Sequence, residues 1–184
     1  MDIRGDISLK YIGWDDERIN QLVYSSSVPN STAFFGRTID LFIVACSIGI
    51  LEDKRIPNDG LKEYNSIGRN TYITNDDVSR IFHFLFENAI LTSQTVNFDN
   101  ETRMKLAFDS NYNLDKFSPN NFLVEFSNYG IDKIWSARTN HDIETITNIM
   151  EMLKNLVDSD FEKLKNEIFK TLEEIELNEL SKKD

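Results

Sequence analysis

From Ile39 to Ile48 almost every position is apolar or small. A helix with a single apolar stripe can lie on a surface, whereas one that is apolar around most of its circumference has to be covered on several sides. This segment therefore reads as a central helix with other helices arranged about it. Asn30 or Ser31 can cap it through a short polar side chain, and Gly49 suits a left-handed stop. A helix is expected over about 32–48, followed by the basic loop Lys54-Arg55-Ile56-Pro57.

Other elements can be read from spacing. Val78, Ile81, Phe82, Leu85, Phe86 and Ala89 recur at helical intervals, and Thr74 with Asp77 approximates a capping box, which predicts a helix over 75–93. Ser118 before Pro119 supplies a capping hydroxyl and a first-turn proline, and Gly130 reads as a stop, which predicts a helix over 119–129. A brief helix over 100–110 is expected around Leu106 and Phe108. Residues 51–73, with Pro57, Gly60 and Gly68, read as a long loop with a short hairpin near Tyr72 and Ile73. Toward the N-terminus, Ile7, Leu9 and Tyr11 alternate like a strand in need of a partner, and Ile19, Leu22 and Val23 mark a short helix.

Near the C-terminus, Ile143, Ile146, Met150, Leu153 and Val157 form a stripe on a helix beginning near Asn140. A capping box at Ser159 and Glu162 precedes a second stripe of Phe161, Leu164, Ile168, Leu172 and Ile175. The chain either bends at Asp158–Asp160 or continues as one long helix. An intramolecular hairpin is the expected arrangement, and a partner-binding arm is the alternative. The 184 residues suit one domain. The expected fold is mainly α: a single compact helical domain with a helical C-terminal extension, divided into an N-terminal arm (1–30), a helical core (31–139) and an amphipathic acidic extension (140–184).

The net charge of −11 weighs against broad binding to nucleic acid, which depends on neutralising phosphates. Residues 142–184 hold 12 acids and 6 bases, more than half of that excess. Cys46 is the only cysteine, so an intramolecular disulfide is excluded, and its place in the apolar run makes it a small hydrophobe. The N-terminus lacks the pattern of a signal peptide, and the apolar stretch Leu41–Leu51 is too short to span a bilayer. A cytoplasmic location without membrane contact is expected.

The usual catalytic signatures are missing. His83 and His141 belong to no metal-binding pattern, and no phosphate loop, dinucleotide fingerprint or nucleophile elbow occurs. The carboxylate groups Asp15-Asp16-Glu17, Glu52-Asp53 and Asp76-Asp77 would be the raw material of a magnesium-dependent nuclease. Asp76 and Asp77 fit better as favourable charges at a helix N-terminus, and the others as solvated surface. Arg37, Lys54, Arg55, Lys62 and Arg69 concentrate within 37–69 and would contact phosphate or an acidic protein if they converged; the plainer reading is an ordinary charged loop and helix edge. Trp14, Tyr129 and Trp135 offer stacking faces. Trp135, beside Ile131 and Ile134, suits packing better.

Two segments carry a family resemblance. Asp40-Leu-Phe-Ile-Val-Ala45, a glycine and Lys54-Arg55-x-Pro57, with Glu125-Phe-Ser-Asn-Tyr-Gly-Ile131 later, resemble accessory proteins encoded beside bacterial DNA-phosphorothioation (Dnd) and related DNA-defence systems. The likeness spans roughly residues 32–135 discontinuously. Phe126 and Ser127 replace a Tyr-Ala pair of the family motif, and Tyr129 stands where that motif often has glycine. The resemblance implies a non-enzymatic accessory subunit that docks on a larger protein of a defence system. It implies interface positions at Lys54, Arg55, Glu125, Asn128 and Gly130, to which the basic stretch adds Arg37, and it implies no catalytic, cofactor or metal residue. A second copy of the chain is a further candidate partner, and DNA is a less favoured one. A DNA-binding regulator using residues 37–69 and a metal-dependent nuclease are the alternative functions.

Overall fold

The computed structural model describes residues 9–12, 19, 21–23, 33–57, 63–67, 76–139 and 144–159. The architecture is mainly α. In chain order it comprises β1 (Leu9–Ile12), α1 (Thr38–Leu51), β2 (Glu63–Ile67), α2 (Asp76–Thr92), α3 (Asn100–Phe108), α4 (Pro119–Ser136) and α5 (144–159). Helix α1 is the hub, with Ile39, Leu41, Phe42, Ala45, Cys46 and Ile48 all buried, as its apolar circumference requires. It packs most extensively on α4 and also against α2, where the Phe42 and Phe82 rings stack at 5.2 Å. Ile19 and Leu22 are buried in the same core.

The two glycines read as helix stops lie inside helices. Their role is set by the crossing of α1 and α4. A Cβ on Gly49 would lie 2.3 Å from the Phe126 carbonyl oxygen, and one on Gly130 would lie 1.8 Å from that of Ala45. Backbone meets backbone at both points, so each glycine is required for close approach, and α1 and α4 run on to Leu51 and Ser136. The left-handed residue that ends α1 is Asp53, at φ 49°. Its amide donates to Ile50 O at 3.1 Å and that of Lys54 to Gly49 O at 2.9 Å, the paired bonds of a Schellman terminus.

Other boundaries also differ from expectation. Helix α1 starts at Thr38 rather than near residue 32, and Arg37 precedes it in an extended conformation without a side-chain cap. The stretch read as a loop over 51–73 contains β2, which pairs antiparallel with β1 from Leu9↔Ile67 to Ile12↔Glu63, with a register shift after Tyr11. The expected hairpin at Tyr72 and Ile73 and the capping box at Thr74 lie outside the described residues. Ser118 caps α4 as read, accepting from Asn121 N at 3.3 Å. Asp99 caps α3 by accepting from Thr102 N at 2.7 Å.

The connection between α2 and α3 is closed by Arg103. Its guanidinium donates to three carbonyls, Ile90 O (2.6 Å), Val96 O (2.7 Å) and Phe98 O (3.0 Å). Helix α5 folds back on the end of α4: Asn148 Nδ2 donates to Ala137 O at 3.1 Å, and Thr139 N donates to Thr145 Oγ1 at 2.8 Å. The face it turns inward carries Thr145 and Ile149, both buried, with Met152, Leu153 and Leu156 packed against the core. Ile146, Met150 and Val157, members of the first apolar stripe, are 49%, 62% and 60% exposed. The second stripe, from Phe161 to Ile175, lies outside the described residues. Among the described residues no helix is long and apolar enough to cross a membrane.

Candidate functional site

The Schellman terminus turns the chain sharply after α1 and lays residues 52–57 across the middle of α4. The backbone amide of Ile56 donates to Glu125 O at 3.0 Å, and Asn128 Nδ2 donates to Ile56 O at 3.3 Å. Two side-chain clusters grow from this seam, one on each side.

The first is centred on Arg55. Its Nη1 meets Glu125 Oε2 at 2.9 Å, while Nε and Nη2 donate to Thr95 Oγ1 and Thr95 O, each at 3.1 Å. The guanidinium carbon lies 5.3 Å from the Phe122 ring centroid and 5.8 Å from that of Phe126. Arg55 thus ties three separate parts of the chain together, and its planar fork matches the carboxylate on one side and a backbone carbonyl on another. Beside it opens a cleft of about 280 Å³, lined by Val96, Phe98, Phe117 and Phe122, with Arg55, Lys116, Ser118, Asn121 and Glu125 supplying the polar groups. The aromatic wall is continuous: Phe117 lies 5.6 Å edge-on to Phe98 and 5.6 Å from Phe122, which meets Phe126 edge-on at 5.1 Å. Lys116 holds a left-handed backbone, φ 61°, in the turn entering α4.

The second cluster surrounds Glu52. Its carboxylate accepts from the Tyr129 hydroxyl and from Lys54 Nζ at 3.4 Å, and Lys133 Nζ lies 3.7 Å away. Lys54 and Lys133 also sit 5.6 Å and 5.5 Å from the Tyr129 ring centroid. Burial pushes the Glu52 carboxyl upward, but the Tyr129 hydrogen bond and the two ammonium groups outweigh it, holding the group below the usual glutamate range. Lys54 is raised, first by the adjacent Tyr129 hydroxyl and then by Glu52.

Five of the six sequence-derived positions therefore fall on one seam. Lys54, Arg55 and Glu125 reach its surface, whereas Asn128 and Gly130 are buried and join α4 to α1 and the loop within the same chain. Arg37 lies apart at the other end of α1, about 20 Å away by helical rise, in a two-point pair with Asp40 at 2.7 and 3.0 Å. Each basic residue described within 37–69 thus faces a carboxylate; Lys62 and Arg69 lie outside the described residues, as do Trp14 and His141. Trp135 packs against the core under Arg138, 5.0 Å from its ring centroid.

The carboxylate groups do not share a focus. Asp53 Oδ2 accepts from Gln94 N at 2.8 Å, and its Oδ1 is enclosed without a hydrogen-bond partner among the described residues, while Glu52 points toward Tyr129. Asp15-Asp16-Glu17 lies outside the described residues. Among the described residues no three His, Cys, Asp or Glu side chains converge to hold a metal ion. Cys46 is fully buried, with Sγ 3.6 Å from Leu123 O, and burial pushes its thiol far up.

Sequence reasoning missed Thr95, Lys116 and Asn121. Thr95 joins the seam only because the Arg103 clasp brings the connection over 93–98 back to it. Lys116 and Asn121 flank the Ser118-Pro119 cap, and that cap was the available signal for them. No protein-family model, curated protein or solved structure matches this chain.

Proposed function

We propose that this chain is a non-enzymatic interaction subunit that docks on a larger protein of a bacterial DNA-defence system in the cytoplasm. The observation that carries the reading is the pairing of Arg55 with Glu125 at the lip of an aromatic-walled cleft. Each guanidinium nitrogen already donates within the chain, so the pair serves to hold a shaped surface. A cleft with an apolar wall and a few fixed polar groups suits a protruding segment of a partner protein. The DNA-defence setting rests on the resemblance of residues 40–57 and 125–131 to Dnd-associated accessory proteins. For the alternative of a DNA-binding regulator, the carboxylates facing Arg37, Lys54 and Arg55 reduce the positive charge offered to phosphates.

Co-expression with the proteins encoded beside it, followed by light-scattering mass measurement, tests the proposal. A stable mixed complex is expected, and it is expected to be lost on Lys116→Glu with Asn121→Lys at the cleft rim while the helical circular-dichroism signal is kept. A chain that binds none of those proteins would overturn the reading.

A further inference from the structure

Among the described residues three charged groups line the cleft beside Arg55, and two of them cancel. The Arg55 guanidinium meets the Glu125 carboxylate at 2.9 Å, and its other nitrogens are taken by Thr95. Lys116 is the third. It is exposed, and its side chain has no hydrogen bond or ion pair among the described residues. The cleft therefore carries one uncompensated positive charge, on a chain whose net charge is −11.

The backbone holds that charge in place at a cost. The Phe117 amide donates to Leu114 O at 3.1 Å and closes a turn whose third residue is Lys116, at φ 61°. Glycine or asparagine ordinarily fills such a left-handed position. A lysine there is strained, and strain of this kind concentrates at ligand clamps. The wall of the same cleft is apolar: Phe98 and Phe117, both only partly buried, meet edge-on at 5.6 Å, with Phe122 beside them.

The polar groups at the lip narrow the choice of ligand. Three amides are already bonded within the chain, Phe117 to Leu114 O, Asn121 to Ser118 Oγ and Phe122 to Ser118 O. A terminal carboxylate is captured by a nest of free amides, whereas a lone ammonium is a compact charge that attracts a side-chain carboxylate without demanding one geometry. The overall negative charge and the Glu125 carboxylate weigh against a polyanion such as nucleic acid.

We propose that the cleft takes an internal segment of a partner protein in which a large apolar side chain stands next to an aspartate or glutamate. The apolar side chain packs on Phe98, Phe117 and Phe122, and the carboxylate meets Lys116. The inference rests on the reading of the cleft as a docking site and adds the chemistry of what docks. The two fail separately: a mixed complex indifferent to Lys116 would leave the docking reading standing, and selection of acidic peptides by the cleft would hold whichever protein carries them.

The test is a titration of the isotopically labelled full chain, followed by amide chemical shifts, with an acetylated and amidated pentapeptide whose central phenylalanine is flanked by glutamates. Shifts are expected at Val96, Phe98, Lys116 and Phe117. The same peptide with glutamine at both flanking positions is expected to bind about three-fold more weakly, the size of an exposed ion pair. That gap is expected to close at about 1 M salt, where charges are screened beyond about 3 Å. It is also expected to close in Lys116→Gly, which removes the ammonium at a position where glycine is at ease and so keeps the turn. Equal binding of the two peptides by the native chain, or a gap that survives Lys116→Gly, would overturn the proposal. So would an absence of shifts at the cleft with either peptide, or tighter binding there of N-acetylphenylalanine, whose carboxylate is terminal, or of oligothymidine.

Discussion

Gly130 of α4 lies so close to Ala45 of α1 that a methyl group on it would sit 1.8 Å from the Ala45 carbonyl oxygen. The reciprocal contact, Gly49 against Phe126, lies one turn further along α1 and one turn back along α4. The two contacts fix how deeply the central helix seats, and hence where the loop carrying Arg55 lands on α4.

In an exposed helix, replacing glycine by alanine gains about 1 kcal/mol of helix propensity. At this crossing the sign reverses, because the added carbon meets backbone that cannot rotate away. Gly130→Ala is expected to cost about 3 kcal/mol or more and Gly49→Ala somewhat less, in line with overpacking of a filled core. Denaturant midpoints at unchanged slope measure both. An unchanged midpoint for Gly130→Ala would mean that the helices are not in contact there.

Removing the carboxylate of Glu125 takes away a charge-assisted hydrogen bond from a half-buried guanidinium. Glu125→Ala is expected to lose about 2 kcal/mol. Arg55→Lys is expected to be nearly as damaging as Arg55→Met, since an ammonium cannot span Glu125 and Thr95 together. A double-mutant cycle of Arg55→Met with Glu125→Ala should show a coupling of about 1 kcal/mol, and simple additivity would place the two groups apart in solution.

Glu52 is held below the ordinary glutamate range in the folded chain. Its contribution is therefore fully present above the unfolded-state value near 4.3, and it is lost as pH falls through the lowered folded-state value. Glu52→Gln is expected to lower stability at pH 7 and to make the loss of stability below about pH 4.3 shallower. Chemical denaturation of both proteins from pH 7 down to pH 3 provides the comparison. Parallel curves would show that the carboxylate has no net preference for its folded surroundings.

With its thiol enclosed and its ionisation suppressed, Cys46 should react only when the core opens. Modification by a thiol-specific disulfide reagent is expected to be negligible in the native protein and complete in denaturant. Rapid native labelling would mean that α1 separates from α4 without global unfolding.

Elements defined by local pattern were legible in the sequence. The Val78–Ala89 spacing and the Ser118-Pro119 cap gave α2 and the start of α4 because a helix face and a cap are decided within a few residues. The glycines misled because a stop and a close approach make the same demand for a missing side chain, and only a residue some 80 positions away separates them. The pairing of β1 with β2 was hidden for a similar reason, its partners being separated by more than 50 residues. Helix α5 presents two apolar stripes, and which one meets the body depends on how it docks. At the site, Arg55 and Glu125 were both singled out, but a bond spanning 70 residues leaves no trace in spacing. The Arg103 clasp had no local signature at all, since three carbonyl acceptors belong to backbone that any sequence provides.

The burial of most of α1 has a consequence for biosynthesis. Its principal cover, α4, is encoded roughly 80 residues downstream, which at ribosomal speed means a delay of about 4–16 s. Throughout that interval the nascent chain carries a decapeptide whose only polar side chains are Asp40 and Ser47, alongside three isoleucines and a phenylalanine. Residues 39–48 are thus the stretch on which a ribosome-associated chaperone would settle first, and the arrival of α4 is the event that would release it.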